Sequence, residues 1–299
     1  MKAPPFDYTA PRTLAQALAL LAEHGDEARL LAGGQSLLAT LNMRLSEPSL
    51  LIDIGRIDAL KGIAVQGNLL RIGALTTHSQ IEASPLVALH APLLAQAAPH
   101  IAHRAIRNLG TLGGSVAHAD PAAEWPACLV AADATVVVQG TQGERRIAAA
   151  DFFVDLYTTA LVPGEIVTAC ECPLSPPDGV ADFDELARRH GDYAIVGLAL
   201  TARRADLALR SLRLVFMGLG NTPVLATQAA DLLEGQALTP ALIDAAVAAL
   251  QRELQPMADL THSAAAKRHL AGVLARRALS RCLPADATPN AASTATRPA

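Results

Sequence analysis

The sequence predicts an α+β protein made of two α/β subdomains followed by a C-terminal domain of three antiparallel strands and a helical bundle. Three observations point there. The triplet Gly-Gly-Ser occurs twice, as Gly33-Gly34-Ser36 interrupted by Gln35 and as Gly113-Gly114-Ser115, each time beside apolar runs. The breaker Ser175-Pro176-Pro177-Asp178-Gly179 divides the chain. Beyond it, strand patterns come first and helical patterns follow, as in layered α+β folds.

In chain order, Thr13-Leu14-Ala15-Gln16 reads as a capping box opening a helix that ends near Gly25. Residues 28–32 form a strand that runs into Leu30-Leu31-Ala32-Gly33-Gly34-Gln35-Ser36-Leu37-Leu38, a strand–turn–helix pattern with Ser36 as expected N-cap. Residues 50–54 give the next strand, and the first subdomain closes at 56. The second, 57–175, opens with a hairpin over 63–72 and a helix capped by Thr77. Helical patterns over 85–98 and 101–108 lead to Asn108-Leu109-Gly110-Thr111-Leu112-Gly113-Gly114-Ser115-Val116. Asp120-Pro121-Ala122-Ala123-Glu124 is expected to start a helix, with strands at 134–139, 146–148 and 166–172. The C-terminal domain spans 180–283, with strands at 184–189, 194–203 and 207–217 and helices at 224–234, 240–254 and 264–281. Residues 284–299, rich in Ala, Thr, Pro and Ser, are expected to be a disordered tail.

Composition narrows the function. With 299 residues, 51% hydrophobic, the chain can bury more than one core. A net charge of −4 argues against nucleic acid as a partner. No apolar run reaches about 18 residues, so no membrane span is expected. The N-terminus lacks the apolar core of a secretion signal, so secretion is not expected and a cytoplasmic location is. Cys128, Cys170, Cys172 and Cys282 form neither C-x-x-C nor zinc-like spacing, so no metal site and no iron–sulfur cluster of the chain's own are expected.

Glycine-rich turns at strand–helix junctions can seat phosphate, because glycine leaves no Cβ in front of the amides. Two such turns can grip one diphosphate from both sides. Neither fits a Walker loop or the Rossmann G-x-G-x-x-G pattern, and G-x-S-x-G is absent, which removes the hydrolase reading. Backbone amides at 32–37 and 111–115, with Gln35, Ser36 and Thr111 side chains, are the expected donors. No catalytic nucleophile or acid–base pair stands out. His78, His103 and His118 lie near these turns, where a lone histidine is more often structural.

Ala32-Gly33-Gly34-Gln35-Ser36-Leu37, then Ile106-Arg107-Asn108-Leu109-Gly110-Thr111-Leu112-Gly113-Gly114-Ser115 with His118-Ala119-Asp120-Pro121, then Gly191-Asp192-Tyr193, resemble the FAD-binding medium subunit of molybdenum hydroxylases. This flavoprotein occurs in carbon-monoxide, nicotinate and xanthine dehydrogenases, and the similarity runs from about residue 6 to about residue 280. The resemblance implies two FAD-binding subdomains of the vanillyl-alcohol-oxidase-like (PCMH) kind. It implies FAD contacts from Leu31, Ala32, Gly33, Gly34, Gln35, Ser36 and Leu37 and from Gly110, Thr111, Gly113, Gly114 and Ser115. It further implies a flavin lined by Ile101, Ala117 and Ile166, Glu124 in place of the usual aspartate on the flavin's hydroxyls, and Tyr193 over the isoalloxazine. Glu185 departs from the family's lysine. The implied partners are a small [2Fe-2S] subunit, a large molybdopterin subunit that holds the substrate, and an external electron acceptor. A stand-alone NADPH-dependent flavin reductase of the same fold, or a nucleotide-binding assembly protein without redox activity, are the alternative readings.

Overall fold

The computed structural model describes residues 2–283; the expected tail at 284–299 lies outside them. A three-stranded parallel sheet opens the chain, built from β1 (Asp7–Thr9), β2 (Ala28–Leu31) and β3 (Leu50–Asp53) in the order β1-β3-β2. Helix α1 (Leu14–His24) starts on Thr13, whose side chain accepts from the Gln16 amide. The Gln16 carboxamide reaches past the N-cap to the Arg12 amide, so the capping box is only half formed. Ala17 and Leu18 of α1, with Ile52 and Ile54, bury a small aliphatic core that also takes in Leu75 and Ile166 from the next unit. β1 has no counterpart in the sequence reading, because three largely exposed residues are too few to show a period.

After the short helix α2 (Leu37–Asn42), the second sheet is antiparallel, ordered β4-β5-β10-β6-β7. Its hairpin strands are β4 (Ile63–Gln66) and β5 (Leu69–Gly73). Between β5 and β6 run α3 (His78–Glu82), α4 (Pro85–His90), α5 (Pro92–Ala97), α6 (Arg104–Arg107), α7 (Leu112–His118) and α8 (Glu124–Ala131). The helix expected over 85–98 is broken at Ala91, since the ring of Pro92 cannot continue it. Thr77 makes a full capping box with Gln80. The segment 120–123 is a turn, not the start of a helix: Asp120 Oδ1 accepts from the Ala122 amide, and α8 begins at Glu124.

β6 (Thr135–Gly140) and β7 (Gly143–Ala148) follow, then α9 (Ala149–Phe152) and a hairpin of β8 (Phe153–Asp155) and β9 (Thr158–Thr159). β10 (Ile166–Pro173) is the sheet's centre, buried on both faces up to Cys172. Cys170 and Cys172 lie on it, and all four cysteines are free and buried.

The C-terminal sheet orders β11 (Gly179–Leu186), β12 (Val196–Ala205), β13 (Ala208–Met217) and a short fourth strand, β14 (Val224–Leu225). One face packs on α10 (Thr227–Leu233), α11 (Pro240–Glu253) and α12 (Ala264–Arg281), forming a Leu- and Ala-rich core. The other face packs on α5 and α8 through Phe183, Ala199, Val215 and Met217. Helix ends leave carbonyls without partners. At the end of α8, Thr201 donates to the Ala131 carbonyl at 2.7 Å and Arg213 to that of Val130 at 2.9 Å. α8 is thereby fixed between the second and third sheets, with Trp125 fully buried on it. No helix among the described residues is long and apolar enough to cross a membrane.

Candidate functional site

The two glycine-rich segments meet. A Cβ on Gly33 would overlap the Leu109 carbonyl oxygen and stand 2.8 Å from Gly110 Cα. A Cβ on Gly114 would lie 3.6 Å from the Ala32 Cβ. The first approach leaves no room for a Cβ at position 33, the second is ordinary contact range, and together they bring bends far apart in the chain into van der Waals contact.

Their chemistry differs. At the first bend Gly34 takes φ +70°, and the amides of Gly33, Gly34, Gln35, Ser36 and Leu37 find no acceptor among the described residues. Ser36 stands at the N-cap position of α2 without a capping hydrogen bond, because its backbone is αR and not extended. Its Oγ is left without that amide donor, and the hydroxyl, which makes no hydrogen bond among the described residues, can both accept and donate. Gln35 is turned back, Nε2 donating to the Gly33 carbonyl at 3.0 Å.

The second segment is a helix start where an open turn was expected. Thr111 is the N-cap of α7, its Oγ1 accepting from the Gly114 amide at 3.1 Å. Leu112 donates to Thr76, Gly113 to Ala74 and Ser115 to the Thr111 carbonyl. The amides of 112–115 are thus spent within the chain. What this side offers are the hydroxyls of Thr111 and Ser115, and the closeness that Gly113 and Gly114 allow. Gly113 lies so tight on Ala74 that its Cβ would overlap the alanine's own.

Around the bends opens a cavity of about 1040 Å³. Residues 32–37, Gly110, Thr111, Gly113, Gly114, Ser115, Ile101, Ala117, Glu124, Ile166 and Tyr193 all line it. Leu31 does not; its side chain packs beside Gly34 and the Leu38 side chain. Arg107 shapes the wall at Ile101: it is bonded to Glu82 at 3.0 Å and to the carbonyls of Pro99, Ile101 and Ala102. Ala102 is held at φ +43°, a conformation that costs energy for a residue with a Cβ.

His78 also lines the cavity, although buried, and it is neutral. Loss of water, with the Arg107 guanidinium adding to it, lowers its pKa to about 4. Trp125 Nε1 donates to His78 Nδ1 at 2.9 Å, so the ring proton sits on Nε2, the edge that abuts Gly110. Its role is to brace the second segment, not to exchange protons near neutrality.

Tyr193 is 70% exposed and lies in the loop between β11 and β12, so it is not packed on the sheet. Partial burial and then the negative charge of Asp120 raise its pKa, and the neutral phenol persists at physiological pH. Tyr157, which the sequence reading did not single out, reaches the same cavity from the β8–β9 hairpin. It holds φ +50° and stacks 5.0 Å from His118. Nothing in the local sequence marks it, because the contact is made across forty residues. Glu124 is half-buried on the wall, and loss of water, then the Glu185 carboxylate, pushes its pKa up to about 8. No group of three or more His, Cys, Asp or Glu is placed to hold a metal among the described residues.

The site suits a long, two-ended ligand with a central anion. A run of free amides can hold a diphosphate, apolar walls can take flat rings, and no nucleophile stands activated. Residues 4–175 match the family described as FAD binding domain in molybdopterin dehydrogenase, and residues 181–282 match the CO dehydrogenase flavoprotein C-terminal domain. The chain is 40% identical to the 6-hydroxypseudooxynicotine dehydrogenase complex subunit alpha of Paenarthrobacter nicotinovorans, over 95% of this chain and 96% of that one. It is 39% identical to the nicotine 6-hydroxylase medium subunit of the same organism, over 93% and 98%. Its fold matches a structure of carbon monoxide dehydrogenase from Hydrogenophaga pseudoflava with a TM-score of 0.91 at 35% identity, covering 95% of this chain and 100% of that one.

Proposed function

Because the chain belongs to the FAD-binding flavoprotein family of molybdopterin dehydrogenases, we propose that it is the medium subunit of a molybdenum hydroxylase, carrying electrons from the [2Fe-2S] clusters of a small subunit through FAD to an external acceptor. The observation that carries this reading is the contact between the bends, with five free amides on one and two hydroxyls on the other. FAD, when bound, supplies the exchange between single electrons and electron pairs.

This chain's residues do the holding. The 33–37 amides and the hydroxyls of Ser36, Thr111 and Ser115 bind the diphosphate. Ile101, Ala117 and Ile166 give the flavin an apolar bed, Glu124 bonds its hydroxyl chain, and Tyr193 limits access to the ring. The four cysteines are each buried among apolar neighbours and are not available as cluster ligands. Electrons therefore arrive from another chain, and the hydroxylated substrate binds in a large molybdopterin subunit of a cytoplasmic heterotrimer or its dimer. The two relatives above support this, being named as subunits of a dehydrogenase complex and a hydroxylase.

Purification tests it. The isolated chain should be yellow, and co-expression with its small and large subunits should yield one complex containing iron and molybdenum. A colourless chain that cannot be reconstituted with FAD would replace this reading with a non-redox binding protein. NADPH oxidation by the isolated chain would make it a stand-alone flavin reductase.

A further inference from the structure

Among the described residues, two that are not glycine both hold a positive φ and line the cavity: Ala102 and Tyr157. Tyr157 sits in the tight turn between β8 and β9, where hairpins often use that conformation. Ala102, at φ +43°, lies in the wall itself, beside Ile101. Backbone strain of this kind persists only where the surroundings impose it, and it gathers at ligand clamps.

Arg107 imposes it. This side chain lies behind the wall, in a residue only 8% exposed, and is not part of the cavity lining. Its Nη1 donates to the carbonyls of Ala102 at 2.9 Å, Ile101 at 3.1 Å and Pro99 at 3.3 Å. Its Nε donates to Glu82 of α3 at 3.0 Å, which fixes the guanidinium from the far side. The carbonyls before and after the Ala102 Cα are thus drawn to one point. In an extended chain they would point opposite ways, so φ +43° is what lets both reach the same nitrogen.

The same pull decides where an amide goes. A trans peptide points its N–H opposite to its carbonyl. With the Ile101 carbonyl on Arg107, the Ala102 N–H faces away from Arg107, and it meets no acceptor among the described residues.

We propose that Arg107 is a positioning residue: it holds Ala102 left-handed, so that the cavity wall offers the Ile101 side chain together with one unpaired amide, that of Ala102. The ligand group this fits is a flat heteroaromatic ring that carries a carbonyl oxygen. An apolar wall fixes the plane of such a ring but not its rotation within that plane; an amide that bonds one oxygen fixes the rotation as well. This deepens the FAD reading and rests on it for naming the ring as the isoalloxazine.

The first measurement needs no ligand. In the full chain freed of cofactor, Ala102→Gly should raise the thermal midpoint by about 1–2 °C, because glycine takes positive φ without cost and that relief outweighs its extra freedom in the unfolded chain. In Arg107→Lys the same change should not raise it. A lysine ammonium cannot serve Glu82 and the carbonyls from separate nitrogens, so Ala102 relaxes. FAD affinity should fall about tenfold in Arg107→Lys and recover when Ala102→Gly is added. Ala102→Val keeps Arg107 but resists positive φ; it should weaken FAD binding similarly, and it carries the test if Arg107→Lys does not fold. With isotope-labelled ring carbonyls, one C=O stretch of bound FAD should move to higher wavenumber in both weakened variants. A glycine effect that is absent in wild type or equal in both backgrounds, FAD affinity unchanged in Ala102→Val, or an unmoved carbonyl band overturns the proposal. If the glycine effect depends on Arg107 as stated but wild type binds FAD at no concentration, the FAD reading fails and the hold of Arg107 on Ala102 stands.

Discussion

Gly33→Ala is the sharpest perturbation of the bend contact. The added methyl would overlap the Leu109 carbonyl oxygen and sit 2.8 Å from both the Leu109 carbonyl carbon and Gly110 Cα. Carbon and carbonyl oxygen ordinarily meet at ~3.3 Å or more. All three obstacles are backbone atoms, so no rotamer change relieves the clash, and the bends must part by roughly 1 Å, which also forfeits dispersion between them. Overpacking of this kind costs about 1–3 kcal/mol, and a clash with main chain alone belongs at the upper end. At about 1.4 kcal/mol per decade, FAD affinity should fall roughly a hundredfold. Titration with FAD, followed by quenching of the lone tryptophan, Trp125, reads this directly, since that residue abuts His78 on the cavity. Gly220→Ala is the control: its methyl would find Val224 at 3.9 Å and nothing nearer, and it should change neither affinity nor stability by more than ~0.5 kcal/mol. Unchanged FAD affinity in Gly33→Ala would refute the argument that this contact shapes the site.

Other outcomes are equally open to measurement. Gly114→Val, with its Cβ 2.9 Å from Thr111 Oγ1, should break the α7 N-cap and abolish FAD retention while the C-terminal domain stays folded, as judged by flavin absorbance and limited proteolysis. His78 should make the protein acid-sensitive. Unfolded chain takes up its proton near pH 6.5 and the native state only at about 4, so stability falls as pH drops across that window, by about 3 kcal/mol in full. In denaturant titrations the stability difference between wild type and His78→Gln should narrow by that amount from pH 6.5 down to 4; a constant difference refutes a neutral buried imidazole. Tyr193→Ala, at a largely exposed position, should shift the melting free energy by less than ~0.5 kcal/mol yet alter the flavin spectrum and the rate of reoxidation by external acceptors; identical spectra would separate Tyr193 from the ring.

Legibility followed the range of the interactions. α12 was readable end to end as 264–281, because period and Ser263 cap are local. β12 and β13 were readable within two residues from their apolar alternation. The glycine doublets announced that something must come close, but not what. That Gly113 and Gly114 belong to a helix depends on Thr111 as cap and on acceptors at Ala74 and Thr76, nearly forty residues upstream. β11 begins at Gly179, five residues before the expected strand, because pairing with Arg203 and Ala202 extends it across a stretch without apolar alternation. The burial of the Glu185 side chain beside His100 has no local signature at all: an acidic residue in a strand reads as exposed until its neighbours across the fold are known.

The four buried thiols have a practical corollary. Burial raises the pKa of each, that of Cys172 to about 12, and only the thiolate is nucleophilic. The native chain is therefore a silent background for alkylating reagents. A single cysteine introduced on the surface, for example at the fully exposed Leu260, becomes the one site that maleimide probes find, so distances within the complex proposed above can be measured without first stripping the protein of its own sulfur.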